Sequence, residues 1–241
     1  MPPIPPSALD ELAQDETSRK KFLRMMGGGG AAAGLATLLA ACGGDDEKTA
    51  STPSTESVPP ASSGATGATG GGGDVDIVNY ALTLEFLEAE FYKEAAASGM
   101  IKDKKTLELA KTFGETEQTH VEALRAAVKD LGGTPVDKPK TAFGPVIEGG
   151  PEMILMTAAT VENLGAAAYL GQAANIESKE ILAAALAIHT VEARHAAALN
   201  ELVGRGFTGG GALEGSIPDG AFAKPMTMEQ VLEQVQPFLA S

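Results

Sequence analysis

Between residues 76 and 204 apolar positions recur every three or four residues, and breaks in that rhythm divide the stretch into four helical segments. The first covers 76–97, with Tyr80, Leu84, Leu87 and Phe91 on one face, and stops at Ser98-Gly99. The second covers 103–131 and stops at Gly132-Gly133. The third begins at Pro151, a residue suited to the first helical position because its missing N–H would have no partner there, and runs to about 174. After a turn at 175–177, Ser178 is placed to cap a fourth helix that ends near Val203-Gly204. Residues 133–149 carry three prolines and read as an irregular crossover. Residues 205–241 are Gly-rich and then hold one short amphipathic piece, Met228-Glu-Gln-Val-Leu-Glu-Gln-Val. Two helix hairpins joined by one long crossover predict an all-α four-helix bundle over 75–204 with a short C-terminal extension.

The N-terminal third has a different character. Residues 18–24, Ser-Arg-Lys-Lys-Phe-Leu-Arg, are basic, and residues 27–41 form a short run of Gly, Ala and Leu that ends at Cys42. A basic segment, a short apolar run and small residues before a cut predict an export signal over 1–41. Leu39-Ala40-Ala41-Cys42 resembles a bacterial lipobox, which implies that Cys42 takes lipid and becomes the new N-terminus. The basic segment resembles a twin-arginine signal, with Lys20 where that pattern has its second arginine. An uncut membrane helix is the alternative, and either arrangement tethers the domain outside the cytoplasm. Residues 42–74 are Gly, Ser, Thr, Ala and Pro with scattered charge, a composition that buries no core and predicts a flexible linker.

Composition removes several function classes. The net charge is −14 and there is no basic patch to follow a phosphate backbone, so nucleic acid is not an expected partner. Cys42 is the single cysteine, which excludes a disulfide and a thiolate metal site in the bundle. Trp is absent and Gly and Ala are abundant, a composition suited to closely packed helices.

The chemistry concentrates in Glu and His. Glu192-Ala-Arg-His195 in the fourth segment repeats the spacing of Glu117-Gln-Thr-His120 in the second, and positions three apart share a helix face. The first and third segments each offer a glutamate in apolar surroundings, Glu85 and Glu162. Glu162 is the only charged residue between Glu152 and Glu177, and a carboxylate in such a run is costly unless it is paired or ligated. Tyr92 follows Glu85 by seven residues and Tyr169 follows Glu162 by seven, two helical turns in each case. The chain therefore reads twice as Glu-x6-Tyr, a turn, then Glu-x-x-His. Such a duplication, packed about a two-fold axis, gathers four carboxylates and two imidazoles. Glu88 stands one turn from Glu85 on nearly the same face, and the parallel with Glu162 selects Glu85 as the ligand and leaves Glu88 behind it. His189, one turn before Glu192, is either an outer partner of the site or an interior residue with its own hydrogen bond. Tyr92 and Tyr169 are candidates for redox or carboxylate-binding roles, with core packing as the alternative.

These six positions carry a resemblance to the ferritin-like superfamily of di-iron and di-manganese carboxylate proteins, in which two helices each supply one Glu and two each supply Glu-x-x-His. Ferritins and bacterioferritins also commonly carry a tyrosine seven residues after the first ligand, as Tyr92 follows Glu85. The resemblance implies terminal ligands Glu85 and Glu162, bridging carboxylates Glu117 and Glu192, and imidazole ligands His120 and His195. The chain is similar to an exported branch of desiccation-related proteins, and its Phe-Ala-Lys-Pro tail beginning at Phe222 looks like that group's C-terminal segment.

Imidazole nitrogen among carboxylates suits two iron or manganese ions, with zinc also able to occupy such a set. The expected role is oxidation of ferrous iron or consumption of peroxide, with metal ions and oxygen or peroxide as partners, the membrane reached through lipid on Cys42, and a homodimer possible. The competing expectation is a non-enzymatic stress protein of the envelope in which the bundle is a scaffold and any metal is structural.

Overall fold

A computed structural model of the chain describes residues 73–210, 217 and 221–240. The segments expected to be a signal (1–41), the lipid attachment point Cys42 and all but the last two residues of the linker lie outside the described residues. Four long helices form the body: α1, Asp74–Ala97; α2, Lys104–Asp130; α4, Pro151–Gln172; and α5, Lys179–Leu202. A five-residue helix, α3, spans Gly144–Glu148, and α6 spans Met228–Val235. There is no strand among the described residues beyond an isolated bridge between Thr141 and Leu239.

Local chemistry sets the helix starts. The Asp103 side chain accepts a hydrogen bond from the Thr106 amide at the start of α2, and Ser178 accepts from the Ile181 amide at the start of α5. The Asp74 carboxylate accepts from the Glu177 and Ser178 amides, each at 2.8 Å, so the first turn of α1 also fastens the connection between α4 and α5. At the other ends Gly99, Gly132 and Gly204 take positive φ, where a side chain would be strained.

Helix α1 packs along α2 and α4 along α5, and the two hairpins meet chiefly through α1 against α4. The interior falls into two apolar clusters. On α2, Ala110 and Phe113 belong to one and Val121, Leu124, Ala127 and Val128 to the other; Glu117 stands between them. On α5, Ile181, Ala185 and Ile188 belong to one and Leu199 to the other, with Glu192 between. A polar layer thus crosses the bundle at mid-height. Helix α4 is long and apolar enough to cross a membrane by composition alone, but two-thirds of that window is buried inside the bundle.

The crossover is more ordered than its three prolines predict. It contains α3, whose preceding residue Phe143 is 1 % exposed, and it pairs with the chain's tail. The Ala142 amide donates to the Phe238 carbonyl at 2.8 Å, the Ala240 amide donates to the Lys140 carbonyl at 2.9 Å, and the Phe143 and Phe238 rings stack at 5.5 Å. Helix α6 begins in a capping box between Thr227 and Gln230 and buries Val231 and Val235 against the bundle. These contacts join segments nearly a hundred residues apart, beyond the reach of any local pattern.

Docking of the tail depends on Gly171. The Met226 amide donates to the Ala167 carbonyl on α4, and a Cβ at residue 171 would fall 1.8 Å from the Met226 carbonyl oxygen. Gly171→Ala therefore forces the tail off α4, at an expected cost of about 1–3 kcal/mol, the range for an overpacked contact. Thermal unfolding should show the fall in Tm, and limited proteolysis should show faster cleavage near Met226. A variant as stable and as resistant as the parent would show that the tail is not held by this contact.

Candidate metal centre

The polar layer gathers side chains from all four long helices. Glu85 of α1, Glu117 of α2, Glu162 of α4 and Glu192 of α5 are each 0 % exposed, and His120 and His195 are 8 % and 7 % exposed. Their donor atoms form two overlapping sets. One atom from each of Glu85, Glu117, His120 and Glu192 lies within 4.8 Å of the others, and the same holds for Glu117, Glu162, Glu192 and His195. Glu117 and Glu192 belong to both sets.

Acceptors crowd each imidazole. Nδ1 of His120 is 2.8 Å from Glu117 Oε2, 3.2 Å from Glu85 Oε2 and 3.2 Å from Glu192 Oε1. Nδ1 of His195 is 2.8 Å from Glu117 Oε1 and 3.2 Å from Glu162 Oε2. One ring N–H cannot serve so many oxygens. Glu192 Oε2 is buried with no partner at all, and Glu117 Oε1 and Glu192 Oε1 meet only an imidazole nitrogen that other carboxylates also claim. Such orphaned carboxylate oxygens are costly, and a cation between them would satisfy several at once. The donor set of carboxylate oxygen and imidazole nitrogen, divided into two sets with two shared members, fits a pair of divalent metal ions.

The remaining oxygens of the terminal carboxylates are held by tyrosines, in a crosswise arrangement. Tyr92 of α1 donates to Glu162 Oε1 of α4 at 2.5 Å, and Tyr169 of α4 donates to Glu85 Oε1 of α1 at 2.6 Å. Each tyrosine thus serves the other hairpin's glutamate, fixing one carboxylate oxygen and leaving the second turned to the centre. Gly114 makes room for this: a Cβ there would lie 2.9 Å from the Tyr92 Cβ. The His195 ring stacks on Phe113 with centroids 3.7 Å apart, which orients its Nδ1 inward.

Two neighbours distinguish themselves from the six. Glu88 is 3 % exposed, inside the polar layer, with Oε2 unpartnered. His189 is part-buried and donates from Nδ1 to the Ala166 carbonyl at 3.0 Å, so its near-side nitrogen serves backbone and not a carboxylate. Sequence reasoning missed a third feature, a buried amide pair in which Asn163 Nδ2 donates to Asn200 Oδ1 at 2.9 Å and clamps α4 to α5. Asn163 sits beside Glu162 in the same apolar run, which is the one signal that marked it.

With this geometry in view, the class of protein is a four-helix bundle with a carboxylate-rich, two-histidine centre inside it. A family model for the ferritin-like domain matches residues 73–205, more than half of the 241-residue chain, and the protein belongs to that family. No curated protein matches the chain.

Crowding moves the proton affinities. Burial, and after it the charge of Glu162, pushes Glu117 up to about 7. Burial and then the charge of Glu117 raise Glu192 well above the ordinary carboxylate range. Burial alone would discharge the histidines, but hydrogen bonds to Glu117 and Glu162 carry His195 up to about 9, and the Glu85 charge with three such bonds raises His120 further. In the metal-free protein each of these groups holds its proton more tightly folded than unfolded. The stability they contribute is complete below the unfolded pKa and is lost as pH rises through the folded one, from 4.5 to about 7 for Glu117 and from 6.5 to about 9 for His195. Thermal melts of metal-free protein should therefore show Tm falling steadily between about pH 5 and pH 9. Ions displace those protons, so affinity for zinc or manganese should rise over the same interval. A metal-free Tm that is flat or rising there would contradict the assignment of these charges.

Proposed function

We propose that the bundle carries a dinuclear iron or manganese centre that oxidises ferrous iron or consumes peroxide as a defence against oxidative stress. The observation that carries the proposal is the overlap of two donor sets through Glu117 and Glu192. Two carboxylates shared between two sets are what a pair of ions about 3.5–4 Å apart requires. Glu85 with His120 would complete one ion's surroundings and Glu162 with His195 the other's. A bound pair of redox-active ions supplies two electrons to oxygen or peroxide in a single encounter. The chain's own contribution is positional. The tyrosines hold the terminal carboxylates, Phe113 holds the His195 ring, and the apolar clusters above and below keep bulk water from the layer. The buried tyrosine hydroxyls retain their protons, since burial and then the facing carboxylates raise both well above the ordinary value.

The same reading places the domain outside the cytoplasm, held to a membrane by lipid on Cys42 through the low-complexity linker. That placement rests on the sequence pattern at 18–42. A tethered domain on a long linker is ill suited to a closed storage shell. The likeness to desiccation-related proteins keeps a second reading, a stress-related scaffold with structural metal.

Metal content and turnover separate the readings. Purified protein should bind two equivalents of iron or manganese and consume oxygen or peroxide. Glu117→Ala and Glu192→Ala should each lower metal affinity by more than the roughly 10–100-fold that loss of an outer-shell partner costs, and abolish turnover. Two bound ions inert to both oxidants would favour the scaffold, stoichiometric zinc alone would give the site without redox chemistry, and a protein that binds no metal would end the proposal.

A further inference from the structure

The two halves of the duplication differ at one position that faces the centre. Glu85 corresponds to Glu162 and Tyr92 to Tyr169, so Glu88, three residues after Glu85, corresponds to Gly165, three residues after Glu162. One half thus has a carboxylate where the other has no side chain at all. The structure puts the two positions against each other. A Cβ built on Gly165 would lie 2.9 Å from Glu88 Oε1 and 2.9 Å from Glu192 Oε2. Both carboxylates therefore turn toward the gap that glycine leaves in α4.

Nothing else in that gap satisfies them. Glu88 Oε2 and Glu192 Oε2 are buried and have no hydrogen-bond partner. On its other sides the gap is a cavity of about 10 Å³ lined by apolar residues, among them Leu87 and Leu164, and by Val235 and Phe238 of the tail. Glu88 cannot relieve its burial by reaching water, as a long side chain at a bundle surface would. A fully buried anion persists where a cation or a hydrogen-bond donor meets it. The charges that act on Glu88 are those of other carboxylates. The Tyr80 hydroxyl, which feels the Glu88 charge, is buried and makes no hydrogen bond to it.

We propose that Glu88 is a seventh protein ligand, a third terminal carboxylate that enters through the Gly165 gap beside Glu192 and makes the ion pair's surroundings unequal. The inference rests on the dinuclear reading above. Four ligand carboxylates balance two divalent ions; a fifth matches the charge of a pair in which one ion is trivalent. Glu88 thus biases the centre toward its oxidised state.

The test is a redox titration of iron-loaded protein, with iron counted in each sample, on the parent chain, Glu88→Gln and Glu88→Asp. Glutamine keeps the shape and removes the charge. It should move the midpoint potential positive by at least the equivalent of a tenfold loss of ferric over ferrous preference, about 59 mV for one electron, or release one of the two irons. Aspartate keeps the charge on a shorter arm and should fall between glutamine and the parent. Two irons retained at an unchanged potential in both variants would overturn the ligand role and leave the dinuclear reading standing. A parent chain that takes up no iron would overturn both.

Discussion

The structure turns on the burial of five carboxylates in one layer of an otherwise apolar interior. Like charges about 4 Å apart repel by roughly 4 kcal/mol at an effective dielectric of 20, and a typical domain's whole stability is only about 5–15 kcal/mol. Several such pairs cannot coexist ionised in a folded chain without countercharge. Two sources are available. Without metal, protons supply the countercharge: burial and neighbouring charge raise Glu117, Glu192 and Glu88 above the ordinary carboxylate range, and the facing carboxylates raise both imidazoles against the opposing effect of burial. With metal, cations replace the protons. The site is therefore a term in the folding equilibrium as well as a place for chemistry.

Duplication explains how a chain of this size builds such a layer. Each hairpin brings a Glu from one helix and Glu-x-x-His from the other, and the packing of the two hairpins gathers the four glutamates in one buried layer. The crosswise tyrosines make the halves interdependent, since each hairpin's terminal carboxylate is held by the other hairpin's hydroxyl. Departures from the symmetry lie close to the centre. Gly165 stands opposite Glu88, and Gly114, which admits Tyr92, corresponds to His189, which holds the Ala166 carbonyl. The tail adds to the inequality by covering the α1–α4 side through Val231, Val235 and Phe238.

Much of this was legible in the residues because helical periodicity and the cost of buried charge are local properties. Glu162 stood out for lying alone in a long apolar run, and its burial is complete. The choice of Glu85 over Glu88 was less decided by pattern, since residues three apart differ by about 60° around a helix and both fit an inward arc. Both are in fact inside. The crosswise tyrosine bonds were not legible: a seven-residue spacing puts Tyr92 over Glu85 on its own helix, but a phenol's length carries its hydroxyl across to the neighbour. The order of the crossover was hidden for a different reason, because its hydrogen bonds go to Phe238 and Ala240, and long-range pairing leaves no mark on local sequence.

The scarcity of bulk in α4 follows from the same constraint. The layer must hold four glutamates, two imidazoles and two phenols at one height, with Glu88 besides, and the backbone nearest to it has to give way. From Gly165 to Ala168 α4 carries no side chain larger than a methyl group, and all four positions are buried. Gly171, one turn on, admits the tail's backbone in turn. Small residues bring little apolar area, so α4 gains less from burial per residue than Leu-rich helices do. What it offers is close approach: α1 and α5 draw in on either side, and the carboxylates they carry meet. A helix whose composition resembles a membrane span is, in this protein, the thin wall that lets a charged layer form inside a bundle.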